Sequence, residues 1–260
     1  MSKIKLYPIY VGSVAMDKSY LTAGRGIGQI VTVPVPCFLI EHPKGLILFD
    51  TGMSKELIDN PDPVKRIGPI IRMSTPIMKK GEDIVSQLDK LGIKPKDIKY
   101  VVNSHLHFDH AGNNADFPDS TFIVQKTEIR IAYWPEVYQK FAYLRADFDH
   151  PLNYQTIEGD VDLFGDGTIQ LWLTAGHSQG HQSMVVKLQN SGYFILTGDS
   201  CYMKENIDEL VLPGIVWSPD EAIRSLMKMR EARDKLNATV ILGHDFETWN
   251  KIKHAPDYYD

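Results

Sequence analysis

Cysteine is nearly missing from this chain: there are two in 260 residues, Cys37 and Cys201. Two thiols so far apart give no disulfide framework and fit a reducing compartment. Long hydrophobic runs are missing as well. No stretch approaches the ~20 apolar residues that span a bilayer. The N-terminal Met1-Ser2-Lys3-Ile4-Lys5-Leu6-Tyr7-Pro8 lacks the apolar core of a secretory leader. A soluble cytoplasmic protein without a membrane partner is expected.

Positive charge is in deficit. Lys and Arg total 28 against 33 Asp and Glu, for a net charge of −5. That balance excludes an electrostatic case for nucleic acid, and Lys94, Lys96 and Lys99 read as a solvated edge. Low-complexity runs are absent, which excludes large-scale disorder. Gly24-Arg25-Gly26-Ile27-Gly28 is no dinucleotide fingerprint, because the spacing is wrong and no βαβ unit follows.

What remains is 43% hydrophobic and 10% aromatic, enough for a packed core. Apolar strand patterns fall at 3–11, 31–40, 46–49, 98–102, 121–124, 154–157, 169–174, 184–188, 192–196 and 240–242. Pro34 and Pro36 place the second of these at an edge or a bulge. Residues 12–30 read as a flexible glycine-bearing loop. Residues 60–80, with four prolines, read as an irregular loop over the site. Helices are expected over 82–91, over 127–144 with a break near Pro135, and over 219–236 behind the capping box Ser218-Pro219-Asp220-Glu221. The aromatics of 133–143 suit core packing, a lid or a subunit contact. Two sheets covered by helices, in one domain spanning 1–260, account for this order.

The chemistry concentrates in Ser104-His105-Leu106-His107-Phe108-Asp109-His110-Ala111-Gly112. Three His and one Asp within six residues are poorly explained as a solvated loop. Imidazole and carboxylate are ligands for zinc and similar ions, and residues two apart in extended chain point the same way. Three further strand patterns are followed within three residues by such a side chain: His177, Asp199 and His244. Five His and two Asp then suffice for two ions with a bridging carboxylate. His42, His150 and His254 do not follow a strand in this way. His181 reads as a structural or supporting histidine beside the ligands.

These residues, in this order, resemble the metallo-β-lactamase superfamily, over nearly the whole chain from Asp50-Thr51-Gly52 to Gly243-His244-Asp245. Within it the chain most resembles the N-acyl-homoserine lactonases, through the motif above, Gly176-His177-Ser178-Gln179-Gly180-His181-Gln182-Ser183, and Asp199-Ser200-Cys201-Tyr202 running on to Lys204-Glu205-Asn206. Ala175 stands where that family often has Pro. The resemblance implies a four-layer αββα sandwich with two divalent ions, usually zinc, although iron, cobalt or manganese suit the same donors. It implies that His105, His107 and His177 hold one ion, that Asp109, His110 and His244 hold the other, and that Asp199 bridges them. It also implies opening of a small lactone ring by a hydroxide shared between the ions. Asp109 would move a proton and Tyr202 would contact the substrate carbonyl, in a monomer or homodimer. A glyoxalase II-like thioester hydrolase, or a lactonase of other specificity, is the alternative on the same centre. A glyoxalase II would append a C-terminal helical domain, whereas this chain ends soon after His244.

Overall fold

The computed structural model describes residues 3–260. Twelve strands form two sheets. The larger sheet comprises β1 (Lys5–Asp17), β2 (Ile30–His42), β3 (Gly45–Phe49), β4 (Ser74–Ile77), β5 (Ile98–Val102), β6 (Thr121–Gln125) and β7 (Asn153–Ile157). Its order is β4-β1-β2-β3-β5-β6-β7. The smaller comprises β8 (Val161–Asp162), β9 (Ile169–Leu173), β10 (Gln182–Leu188), β11 (Gly192–Leu196) and β12 (Thr239–Ile241), in the order β12-β11-β10-β9-β8. Strands β3, β5, β6 and β7 run parallel to one another, as do β11 and β12. The helices are α1 (Pro63–Ile67), α2 (Ile84–Lys90), α3 (Phe108–Ala111), α4 (Lys126–Tyr133), α5 (Arg145–Phe148), α6 (Lys204–Glu209), α7 (Pro219–Leu236) and α8 (Phe246–Trp249).

Strand alternation builds the layers. On β3, Ile47 and Phe49 join Met184, Val186 and Leu196 in the core between the sheets, while Leu48 turns outward to pack with Ile84 and Leu88 of α2. On the other sheet, Val185 and Ile195 turn outward against Leu226 and Met229 of α7. The result is the expected αββα sandwich. Among the described residues, no helix is long and apolar enough to cross a membrane.

Three local expectations need partial correction. Of the two readings of Pro34 and Pro36, the edge fails, since β2 lies between β1 and β3, and the bulge holds, since the register with β1 shifts between Tyr10 and Ser13 opposite them. The prolines are tolerated because of that irregularity, and because β3 pairs only with Phe38–His42. The 12–30 segment is not all loop, because β1 continues to Asp17 and that side chain accepts from Ser19 N–H at 2.8 Å and Gly28 N–H at 2.6 Å. The helix expected over 127–144 breaks before Pro135, as the proline predicts, with Trp134 at φ −134°, but it does not resume beyond a short turn at Lys140–Ala142, so α4 ends at Tyr133. By contrast, α7 covers 219–236 with Ser218 capping it, as its sequence indicates.

Candidate metal centre

Strands β5, β9, β11 and β12 all end at one rim, and the loops that leave them carry the chemistry. Past β5 come His105 and His107, then α3 with Asp109 and His110. Past β9 comes His177, past β11 Asp199, and past β12 His244. Tight backbone approaches make this convergence possible. A Cβ on Gly176 would stand 2.4 Å from Cα of Ala222 in α7, and Gly176 has φ +141°. Gly198, at φ +53°, lies against the His181 ring, and a Cβ there would stand 2.7 Å from Nε2.

All seven residues are buried and form two groups. One is His105, His107 and His177; the other is Asp109, His110, Asp199 and His244. The Asp199 carboxylate divides between them. Its Oδ2 lies 3.7 Å from His105 Nε2 and 3.4 Å from His177 Nε2. Its Oδ1 lies 3.0 Å from His110 Nε2 and 3.2 Å from His244 Nε2. Asp109 Oδ2 is 3.7 Å from both of those histidine nitrogens.

These contacts make poor sense without cations. His177 Nε2 faces His107 Nδ1 at 2.9 Å and His105 Nε2 at 3.2 Å, nitrogen against nitrogen. His110 Nε2 and Asp199 Oδ1 are near each other yet not aligned to bond, and both are buried without a hydrogen-bond partner. Orphaned donors and lone pairs aimed at common points are what metal ligands look like, and the donor set suits zinc or a similar ion.

The outer atoms are fixed in turn, and the sequence reading missed most of these supports. Asp50 sits at φ +62° past β3. It accepts from Ser104 N–H at 2.6 Å, Ser104 O–H at 2.7 Å and His110 Nδ1–H at 2.8 Å. Ser104 Oγ stands 3.0 Å from His105 Nδ1. His244 Nδ1–H donates to the Pro34 carbonyl at 2.7 Å, so the proline-interrupted part of β2 orients a ligand. His181 is absent from both groups: its Nε2 accepts from Asp199 N–H at 2.9 Å, and its Nδ1 lies 2.9 Å from Thr174 Oγ1. Glu128 on α4 accepts from Leu106 N–H, Gly180 N–H, Ser178 O–H and Tyr143 O–H, tying the two ligand loops together. A buried Glu after β6 had no spacing signal to mark it, whereas Asp50, directly after an apolar strand, had the same signal as Asp199.

Electrostatics divide the histidines. Burial holds His105, His107 and His177 below the ordinary imidazole value, and lowers His181 to about 3. Burial opposes charge on His110 and His244 as well, but Asp199 and Asp109 outweigh it and raise both. For Asp199 itself, burial opposes ionisation, and the attraction of His110 and His244 overrides it and holds the carboxyl well below its usual range. Tyr202 is buried beside the centre with its hydroxyl 2.8 Å from His177 Nδ1, and burial raises its phenol well above 10.

This fold and centre define a class. The metallo-beta-lactamase superfamily pattern matches residues 30–244. Over the full length of both chains, the protein is 39% identical to the N-acyl homoserine lactonase AttM of Azorhizobium caulinodans. It is 36% identical to the N-acyl homoserine lactonase AiiA of Bacillus thuringiensis subsp. kurstaki, over 99% of this chain and 100% of that one. A solved N-acyl homoserine lactone hydrolase, with the product N-hexanoyl-L-homoserine at its catalytic metal centre, superposes with a TM-score of 0.90 at 34% identity, covering 100% of each chain. The chain belongs to the metallo-beta-lactamase superfamily and, within it, to the N-acyl homoserine lactonase family.

Proposed function

We propose that the protein is a metal-dependent N-acyl-homoserine lactonase, acting as a single hydrolase unit over residues 1–260. The observation that carries this is the Asp199 carboxylate, one oxygen facing each histidine group, in a chain that matches lactonases end to end. In this reading His105, His107 and His177 hold one ion, Asp109, His110 and His244 hold a second, and Asp199 serves both. Zinc is the metal we assign, from five imidazole and two carboxylate donors. When bound, the pair of ions supplies an acidified water and an electrophile for the lactone carbonyl.

The side chains do the rest. His177 Nδ1–H donates to Tyr202 Oη and leaves the phenolic proton free to meet the lactone carbonyl oxygen as negative charge gathers there. Raised far above neutrality, Tyr202 stays a donor at every working pH. Asp109, in the pocket floor with Tyr202, is placed to carry a proton to the departing ring oxygen. Phe108, Phe141 and Ile215 wall the pocket and keep bulk water from the reaction. Both cysteines are buried and unpaired, which supports a reducing, cytoplasmic setting.

The test is ring opening, read as acid release, with N-hexanoyl- and N-decanoyl-homoserine lactone and with lactoylglutathione in parallel. Opening of the lactones that disappears in Asp199→Ala is the expected result. Cleavage of the thioester without lactone opening would move the reaction to thioester hydrolysis on the same centre.

A further inference from the structure

The pocket over the metal centre has two adjoining chambers. The inner holds about 50 Å³ and touches Asp109, Asp199 and Tyr202. The outer holds about 210 Å³, shares Met73, Phe141 and Ile215 with the inner, and runs on to Tyr20, Gln139 and Trp217. A lactone held with its ring at the metal end directs its acyl chain into the outer chamber. Among the described residues, no Lys, Arg, Asp or Glu lines that outer space, so a neutral chain fits it.

Gln139 breaks the apolar pattern. It lines the outer chamber, is only 9% exposed, and its Oε1 is buried without a hydrogen-bond partner. The inner chamber repeats this at Ser74, whose Oγ is buried and unpartnered. Orphaned polar atoms are rare in folded proteins and call for an explanation. Ser74 lines the inner chamber together with Asp109, Asp199 and Tyr202, the end at which a lactone ring would be held, and does not line the outer one. Gln139 lies where the substrates differ.

We propose that Gln139 is a specificity-determining residue: its carboxamide hydrogen-bonds a keto or hydroxyl group carried by the acyl chain, so that the enzyme favours oxygen-substituted chains over plain ones. This rests on the lactonase reading and adds the substrate subclass. The carboxamide nitrogen makes no hydrogen bond within the protein and, unlike Oε1, is not closed off from solvent, so Nε2–H is the group that meets a keto or hydroxyl oxygen of the chain. A plain chain covers the amide and gives it nothing. Sites that hydrogen-bond a substrate group discriminate against the analogue lacking it far more strongly than apolar pockets discriminate by size.

The experiment compares kcat/KM of the metal-loaded enzyme on N-hexanoyl-, N-(3-oxohexanoyl)- and N-(3-hydroxyhexanoyl)-homoserine lactone. The wild type is expected to favour the substituted chains by about tenfold or more, and Gln139→Leu to bring the ratio close to one. Because the variant sees the same three lactones, differences in their intrinsic reactivity cancel. Gln139→Met replaces the Leu variant should that fail to fold. A wild type with no preference, or a preference that survives in the variant, overturns the assignment of Gln139. Opening of none of the three lactones by the wild type overturns the lactonase reading, and this assignment with it.

Discussion

The Tyr202 hydroxyl and His177 Nδ1 are 2.8 Å apart, and the imidazole has one proton to place there. With Nε2 committed to the ligand group, Nδ1 carries the proton and the phenol keeps its own. That arrangement separates two functions which a mutation can test apart. Tyr202→Phe removes the donor to the reacting carbonyl but leaves the His177 Nδ1–H with the Ile215 carbonyl, 3.1 Å away. We expect kcat to fall about ten- to a hundredfold, with metal content by elemental analysis unchanged. Full turnover in that variant would remove Tyr202 from the reaction. Asp50 makes the complementary case, since it acts on the metal side and is remote from substrate. Asp50→Asn keeps the shape and loses the anionic acceptor of His110 and Ser104. The expected outcome is a ten- to hundredfold weaker hold on the ions in chelator competition, with the fold intact.

Elements enter through the loops that must stay in register with one another. Glu128 stands in the first turn of α4, is fully buried, and accepts two backbone N–H groups, from Leu106 beside the β5 ligands and from Gly180 beside His177. Glu128→Ala orphans both donors and two hydroxyls besides, and should cost about 2–4 kcal/mol in urea unfolding. Glu128→Gln retains an acceptor oxygen and should recover part of that loss; equal loss in both would point to a packing role. Sequence patterns reached the ligands but not this clamp. The ligands were legible because each follows an apolar strand, and the strand ends share a rim. Helix α7 was legible from its capping box and proline. Glu128 was not, because a helix-borne acid looks solvated until tertiary structure buries it. The break near Pro135 is legible from the proline itself, whereas the helix expected beyond it gives way to a short turn at Lys140–Ala142. The prolines of β2 mark the bulge between β1 and β2 in the sequence, yet the use of the Pro34 carbonyl, which accepts from His244, depends on a partner 210 residues away.

At the scale of the whole molecule, the centre couples stability to pH. Four buried histidines, His105, His107, His177 and His181, have folded values below 6.5, and His181 falls to about 3. A histidine depressed in this way binds a proton in the unfolded chain before it does in the folded one. Its contribution is therefore present above pH 6.5 and is lost as pH falls below that value. His110 and His244 are shifted the other way, so their contribution is complete below pH 6.5 and declines only as pH rises through their folded values. Between pH 6.5 and 4 the depressed histidines lower stability as pH falls. They are opposed by the buried carboxyls of Asp147, raised to about 6, and of Asp50 and Glu128, which take up protons in the folded protein first. Four histidines against three carboxyls leave the histidines to set the sign. The chelator-treated protein should thus lose stability steadily as pH falls from 7 to 5, in urea titrations followed by tryptophan fluorescence. Ligation keeps imidazole neutral, so the metal-loaded protein should resist this until the ions are released, and release should show the same acid threshold. His181→Gln isolates one of the four without removing a ligand. It should flatten the metal-free profile by one proton, roughly 1 kcal/mol per pH unit, across the window from 6.5 toward 3. An unchanged slope in that variant would mean that His181 is protonated in the folded protein, and that the Asp199 backbone N–H donates to something other than its Nε2.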